Sequence, residues 1–188
     1  MKIVAAITGA SGALYAKLLI EKAAALREQI SEVAVVFSDS GREVYGYELG
    51  ENALAAVEKM PVKIYDNKSF FAPFASGSSN FDAMIVAPCS MGTLARIAAG
   101  VADTLIARTA DVMLKERRKL ILVARETPYS LIHLRNMTTI TEAGGIICPA
   151  SPSFYSKSAS VEELAMTVVN RALSLAGVRV DAYRWGEK

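Results

Sequence analysis

Apolar residues recur along this chain in two alternating rhythms. Short runs have the length and β-branched content of strands: Lys2 to Ile7, Val33 to Phe37, Ala83 to Ala87, Lys119 to Val123 and Ile146 to Pro149, with Val62 to Tyr65 a short strand expected at the sheet edge. Between them, apolar positions fall three or four apart. They do so in Ala13 to Arg27 (Leu14, Leu18, Leu19, Ala23), after Ser38–Gly41, over 49–60, and in Met91 to Ala99, Ala102 to Arg118 and Tyr129 to Ala143. Ser160 to Leu175 closes the series, with Val161, Leu164, Val168 and Val169 on one face. Strands alternating with helices predict an α/β fold, a parallel sheet with helices on both faces, in a single domain spanning 1–188. In such a sheet the loops that follow the strands, at Gly9, Ser38, Ser90 and Arg125, open on one edge and together make one site.

The turn from Pro88 to Thr93 carries the central chemistry. A buried strand delivers it to a helix start, where unpaired N–H groups and the positive end of the dipole meet the hydroxyls of Ser90 and Thr93. Such a turn suits a phosphate or an electron-rich ring. Thr8 Gly9 Ala10 Ser11 Gly12 repeats the theme: glycines admit close approach and Thr8 and Ser11 can hydrogen-bond a ligand, but the loop is neither GxGxxG nor a P-loop with its lysine. Asp39 stands where a dinucleotide enzyme binds ribose, yet Ser38, Asp39 and Ser40 are all good helix caps, and Asp39 reads as a cap. The loop Asn67 to Asn80 holds Phe70, Phe71 and Phe74 among glycine, serine and proline, more aromatic surface than a loop usually exposes, which reads as a ligand wall or a subunit contact, or else as a cover for the core.

Composition narrows the classes. The 188 residues are 52% apolar with a mean hydropathy of +0.28, yet no apolar run approaches the about 20 residues that span a bilayer, so subunit contacts are the expected use of the excess. The first residues run straight into a glycine turn and read as a strand, not a signal peptide, which makes the cytoplasm the expected location. A net charge of +2 excludes nucleic acid as the expected partner, and the cluster Lys115, Arg117, Arg118, Lys119 reads as a solvated helix end. Cys89, Cys148 and the single His133 make no metal spacing and predict neither a disulfide nor a bound metal.

The loops therefore collect hydroxyls (Ser11, Ser38, Ser90, Thr93), glycine backbone (Gly9, Gly12, Gly92), cations (Arg108, Lys115, Arg125, Arg171), the carboxylate of Glu126 and the aromatics Phe70 and Tyr155. That set suits a phosphorylated, planar ligand. It does not suit a hydrolase: there is no GxSxG elbow, His133 lies in a helical stretch, and Cys89 has no histidine beside it and reads as a small buried residue.

The run APCSMGTLARIAAG, with TLIARTADVMLKERRKLILVARETP, HLRNM, the early ITGASGA and the late PSFY, resembles the UbiX-type flavin prenyltransferases, and the match extends from Thr8 to Arg184 Trp185 Gly186. The resemblance implies a Rossmann-like, doubly wound sheet and a dodecamer with sites shared between subunits. It implies that reduced FMN is alkylated by dimethylallyl monophosphate at N5 and then C6, and that the product, prenylated FMN, serves a UbiD-type decarboxylase. By motif, Gly9, Ala10, Ser11, Ser38, Ser90, Met91, Gly92, Thr93 and Arg125 hold FMN, and Ser11 also borders the reacting groups. Tyr155 and Arg171 bind the prenyl phosphate, Lys115, Glu126 and Arg108 complete that polar end, and Phe70 flanks the prenyl group.

Two positions depart from the family pattern, Thr104 in place of asparagine and Phe70 in place of tryptophan. The related peptidyl-cysteine decarboxylases rely on a histidine near the second strand and an asparagine-methionine motif; His133 and Asn136 Met137 are poorly placed for either role.

Overall fold

The computed structural model describes residues 1–155, 157–183 and 186, so Arg184 and Trp185 of the family-like tail lie outside the described residues. Six strands form one sheet: β1 (Lys2–Ile7), β2 (Glu32–Phe37), β3 (Lys63–Asp66), β4 (Ala83–Cys89), β5 (Lys119–Ala124) and β6 (Ile146–Pro149). Their order is β3-β2-β1-β4-β5-β6, and every neighbouring pair is parallel. The helices are α1 (Ala13–Ala25), α2 (Asp39–Leu49), α3 (Ala53–Glu58), α4 (Met91–Ala98), α5 (Leu105–Lys115), α6 (Leu131–Glu142) and α7 (Val161–Ala176), with a 3₁₀ turn at Pro73–Ala75. This is the doubly wound, Rossmann-like order, whose reversal of winding direction falls between β1 and β4.

Alternate residues of the same strands feed two cores. Ile3, Ala5, Ile7, Val35, Ile85, Ile121 and Val123 meet α1 and α7 on one face, and Val4, Ala6, Val36, Met84, Val86, Leu120 and Leu122 meet α4, α5 and α6 on the other. Because strand side chains alternate with a period of two, a run that is apolar at every position must be covered on both sides.

The boundaries shift where local chemistry outweighs periodicity. The 49–60 stretch splits: α2 runs on to Leu49 and stops at Gly50, whose φ is 93°, before α3 begins at Ala53. β4 continues through Pro88 to Cys89 with an irregular register between Val86 and Cys89. Ser38, not Asp39, caps α2, accepting the Gly41 N–H at 2.9 Å, while Asp39 opens the helix and pairs with Lys68 at 3.2 Å. Thr104 caps α5 through the Ala107 N–H at 3.2 Å, a bond an asparagine side chain in that place can also make. His133 belongs to a capping box, with Nδ1 accepting the Ser130 N–H while the Ser130 hydroxyl accepts the His133 N–H, each at 3.2 Å.

Candidate active site

The carboxyl edge of the sheet is laced by bonds that run on past the strands. Ser38 N–H donates to the Ile7 carbonyl at 2.9 Å, Arg125 N–H to the Cys89 carbonyl at 3.2 Å, and Ala150 N–H to the Ala124 carbonyl at 2.9 Å. Between β1 and β4 a side chain joins the backbone link: beside the Thr8 N–H bond to the Pro88 carbonyl at 3.3 Å, the Thr8 hydroxyl donates to that carbonyl at 2.8 Å and accepts the Ser90 N–H at 2.8 Å. The loops after β1, β2, β4, β5 and β6 are therefore fixed in one row, with the N-termini of α1 and α4 facing the crevice at the switch point.

Each loop places its groups for a physical reason. Ser90 caps α4, its hydroxyl lying 3.4 Å from the Thr93 N–H and 3.2 Å from the Thr93 hydroxyl. Met91 is buried in the core, so it can offer a ligand only its backbone N–H. Gly92 has open space where a Cβ would stand. Gly9 lies so close to α2 that a Cβ there would come within 2.6 Å of the Ser40 Cβ, and Ala10 is buried beside it.

Gly12 adopts a left-handed φ of 115° at the N-cap of α1 and has no side chain to cap it. Glu48, from the last turn of α2, supplies the missing acceptor. Its carboxylate takes the Gly12 N–H at 3.0 Å and the Ala13 N–H at 2.7 Å. Burial alone would raise the Glu48 pKa. The Ser11 hydroxyl, those two N–H groups and the Arg125 cation outweigh it, and the carboxyl titrates below its ordinary range. Burial raises the Tyr15 phenol against a smaller opposing pull from Arg125, and the Tyr15 hydroxyl reaches the Ala150 carbonyl at 3.4 Å.

Arg125 thus sits among Ser11, Glu48 and Tyr15, and its buried Nε has no hydrogen-bond partner. A buried guanidinium N–H left unpaired near the start of α1 fits an added anionic oxygen, and a flavin phosphate supplies one. Glu126 accepts its neighbouring Thr127 N–H at 2.9 Å, and no ion pair from it to Arg125 occurs among the described residues. Tyr155 follows β6 and is 67% exposed. Arg171, on α7, faces a cavity of about 860 Å³ together with Cys148, Ser151, Met166 and Asn170.

Phe70 lies in the turn after β3, on the same edge but at its margin, 47% exposed beside a fully exposed Phe71. Phe74, the third aromatic of that loop, instead fills the core between Tyr65 and Phe81 at ring distances of 4.9 and 5.1 Å.

Two residues of the expected site do not join it within the chain. Lys115 ends α5, which descends to the start of β5, where Lys119 pairs with Ala83 at the start of β4; this is the amino edge, opposite Ser90 and Arg125. There Lys115 pairs with Glu116. Arg108 donates to the Ala75 carbonyl at 3.0 Å and to Asp111 at 2.7 Å, and Arg118 to the Gly77 carbonyl at 2.8 Å, so both arginines brace the loop that leads into β4. Thr8 corrects a further expectation. It is 1% exposed with its hydroxyl committed to Pro88 and Ser90, so it turns away from any ligand.

Sequence reasoning missed Glu48 and Tyr15. The available signal for Glu48 was Gly12 itself, a helix start with no capping side chain of its own. Cys89 is buried with its thiol pushed up to about 12 by desolvation, in keeping with a packing role. No group of three or more candidate metal ligands occurs among the described residues, and no helix there is long and apolar enough to cross a membrane.

Fold and crevice together define a Rossmann-like protein shaped to hold a phosphorylated, planar ligand at its switch point. The family model described as Flavoprotein matches residues 1–173. The flavin prenyltransferase UbiX of Methanocaldococcus jannaschii is 43% identical over 187 residues, covering 99% of each chain. Among solved structures, AnUbiX in complex with FMN and dimethylallyl pyrophosphate matches with a TM-score of 0.87 at 42% identity, covering 97% of this chain and 98% of that one. A dodecameric FMN-dependent UbiX-like decarboxylase from Escherichia coli O157:H7 matches with a TM-score of 0.90 at 37% identity over the full length of both. The chain belongs to the Flavoprotein family, among the UbiX-type flavin prenyltransferases.

Proposed function

We propose that this protein joins the dimethylallyl group of dimethylallyl monophosphate to N5 and C6 of reduced FMN, giving prenylated FMN. The observation that carries the reading is the buried, unpaired Arg125 Nε, on the strand-end loop beside Glu48 and the α1 start it caps, in a chain 42% identical to one solved with FMN and dimethylallyl pyrophosphate. Gly9, Ala10, Ser11, Ser38 and the Ser90–Thr93 turn hold the flavin, with Arg125 on its phosphate. Bound reduced FMN supplies the two nucleophilic ring positions.

The remaining chemistry belongs to the chain. Departure of an allylic phosphate needs cations on the leaving oxygens and an aromatic wall against the positive charge that develops on carbon. Arg171 and Tyr155 meet the phosphate, Glu126 holds or returns a proton at its oxygen, and Phe70 shelters the prenyl group. Lys115 cannot reach these groups from its own sheet, so it serves the site of a neighbouring subunit. A homo-oligomer, a dodecamer by likeness to the Escherichia coli protein, supplies that neighbour. The product passes to a UbiD-type decarboxylase, and all of this takes place in the cytoplasm.

The test is anaerobic incubation of the purified protein with reduced FMN and dimethylallyl monophosphate, followed by the mass of the extracted flavin. A gain of one dimethylallyl group is expected. An unchanged flavin mass from folded, FMN-loaded protein overturns the reading.

A further inference from the structure

Thr8 occupies a gap in the sheet. The β1–β4 ladder is regular only as far as the Ala6–Val86 pair, and β4 changes register against β5 between Val86 and Cys89. Pro88, within that irregular stretch, has no N–H to donate. Backbone pairing therefore weakens where the two ligand loops diverge, and the Thr8 hydroxyl reinforces it, giving its proton to the Pro88 carbonyl and accepting the Ser90 N–H, each at 2.8 Å. The Thr8 N–H adds only a longer bond to the same carbonyl, at 3.3 Å. Among the described residues this hydroxyl is the one side-chain link between the Gly9–Gly12 loop and the Ser90 cap of α4.

Resting on the flavin site proposed above, we infer that Thr8 is a positioning residue for flavin binding: its hydroxyl sets the spacing of the two loops that hold the ligand, without touching the ligand itself. Thr8→Val keeps the volume and branching but leaves the Ser90 N–H without an acceptor, the costly case for a buried donor. Thr8→Ser keeps the hydroxyl and loses only a methyl group.

The measurement is the Kd for FMN, by fluorescence titration, at a temperature where thermal unfolding shows each protein folded. Thr8→Val is expected to bind FMN about tenfold more weakly or worse, and Thr8→Ser within about threefold of wild type. A residue that merely stabilised the fold would lower the melting temperature of Thr8→Val and leave the Kd of the folded protein alone. That outcome overturns the inference, as does a Thr8→Ser variant that loses as much affinity as Thr8→Val. Should Thr8→Val fail to fold, amide hydrogen exchange of the ligand-free wild type decides: Ser90 N–H is expected to exchange slowly, and exchange at the rate of an open loop overturns the link. Wild-type protein that binds no FMN overturns the proposed function and this inference with it, whereas equal binding by wild type and Thr8→Val overturns this inference alone.

Discussion

Glu48 places its carboxylate 2.7 Å from the backbone N–H of Ala13, across the start of a helix to which it does not belong. Because Gly12 at the N-cap offers no side chain, the last turn of α2 caps α1 in trans, and the two helices hold the first ligand loop between them. The folded-state pKa of Glu48 lies below the 4.5 of an ordinary glutamate. Its contribution to stability is therefore complete above that value and is lost as pH falls through the depressed one. Replacing it by glutamine should cost about 1 kcal/mol at neutral pH, the worth of a helix cap. Urea unfolding of both proteins from pH 7 to pH 3 checks this. Glu32, held low by Lys63 and Lys2, gives both the same acid-labile background, so the difference between them should shrink below pH 4.5. A constant difference refutes the clamp.

Gly92 separates the needs of the fold from those of the ligand. A Cβ there meets nothing within 4 Å, and alanine suits a helix better than glycine, so Gly92→Ala should keep or raise stability, by up to about 1 kcal/mol. If the flavin lies against the Ser90–Thr93 turn, the added methyl intrudes on it and FMN affinity falls. Thermal melts without ligand, beside FMN titration, read the two effects separately. Unaltered affinity would move the flavin off this turn.

Glu126 follows Arg125 and accepts only the N–H of Thr127 in the bonds described for it, which leaves one carboxylate oxygen for proton traffic at the prenyl phosphate. Glu126→Gln should slow turnover by about 10²-fold while FMN binding stays near wild type, since general acid–base groups contribute on that scale. Single-turnover kinetics with FMN-saturated protein give the answer, and unchanged turnover removes the role.

Much of the fold is written in local pattern: short apolar runs that read as strands, with the polar-interrupted Val62–Tyr65 stretch at the sheet edge, and helical spacing between them. The loops after β1, β2, β4 and β5 could be placed on one edge because parallel strands leave no other arrangement. What periodicity could not convey is contact between distant segments. Glu48 looks like any charged residue at a helix end until α2 is laid across α1, and Thr8 looks like a ligand hydroxyl until the irregular stretch around Pro88 turns a carbonyl toward it. Phe70, Phe71 and Phe74 share one loop and one composition, yet Phe74 is core and Phe71 is fully exposed, a division set by the 3₁₀ turn at Pro73–Ala75.

Lys115 poses the sharpest test of shared sites. The motif assigns it to the prenyl phosphate, but α5 carries it to the amino edge of the sheet, beside Glu116 and the loop before β4. Both hold together only if the phosphate it meets lies in another subunit. Lys115→Ala and Arg125→Ala should each lower turnover about tenfold or more when every chain carries the change, the loss of one charge-assisted contact to a phosphate. Co-expressed in one oligomer, the two variants should recover part of the lost activity, because some sites then combine an intact Arg125 from one chain with an intact Lys115 from its neighbour. The same variants purified apart and mixed without exchange should recover none. Native mass spectrometry establishes that mixed oligomers have formed. Mixed oligomers with no recovered turnover would mean that Lys115 does not complete a neighbour's site, and would leave it as the partner of Glu116 at the amino edge.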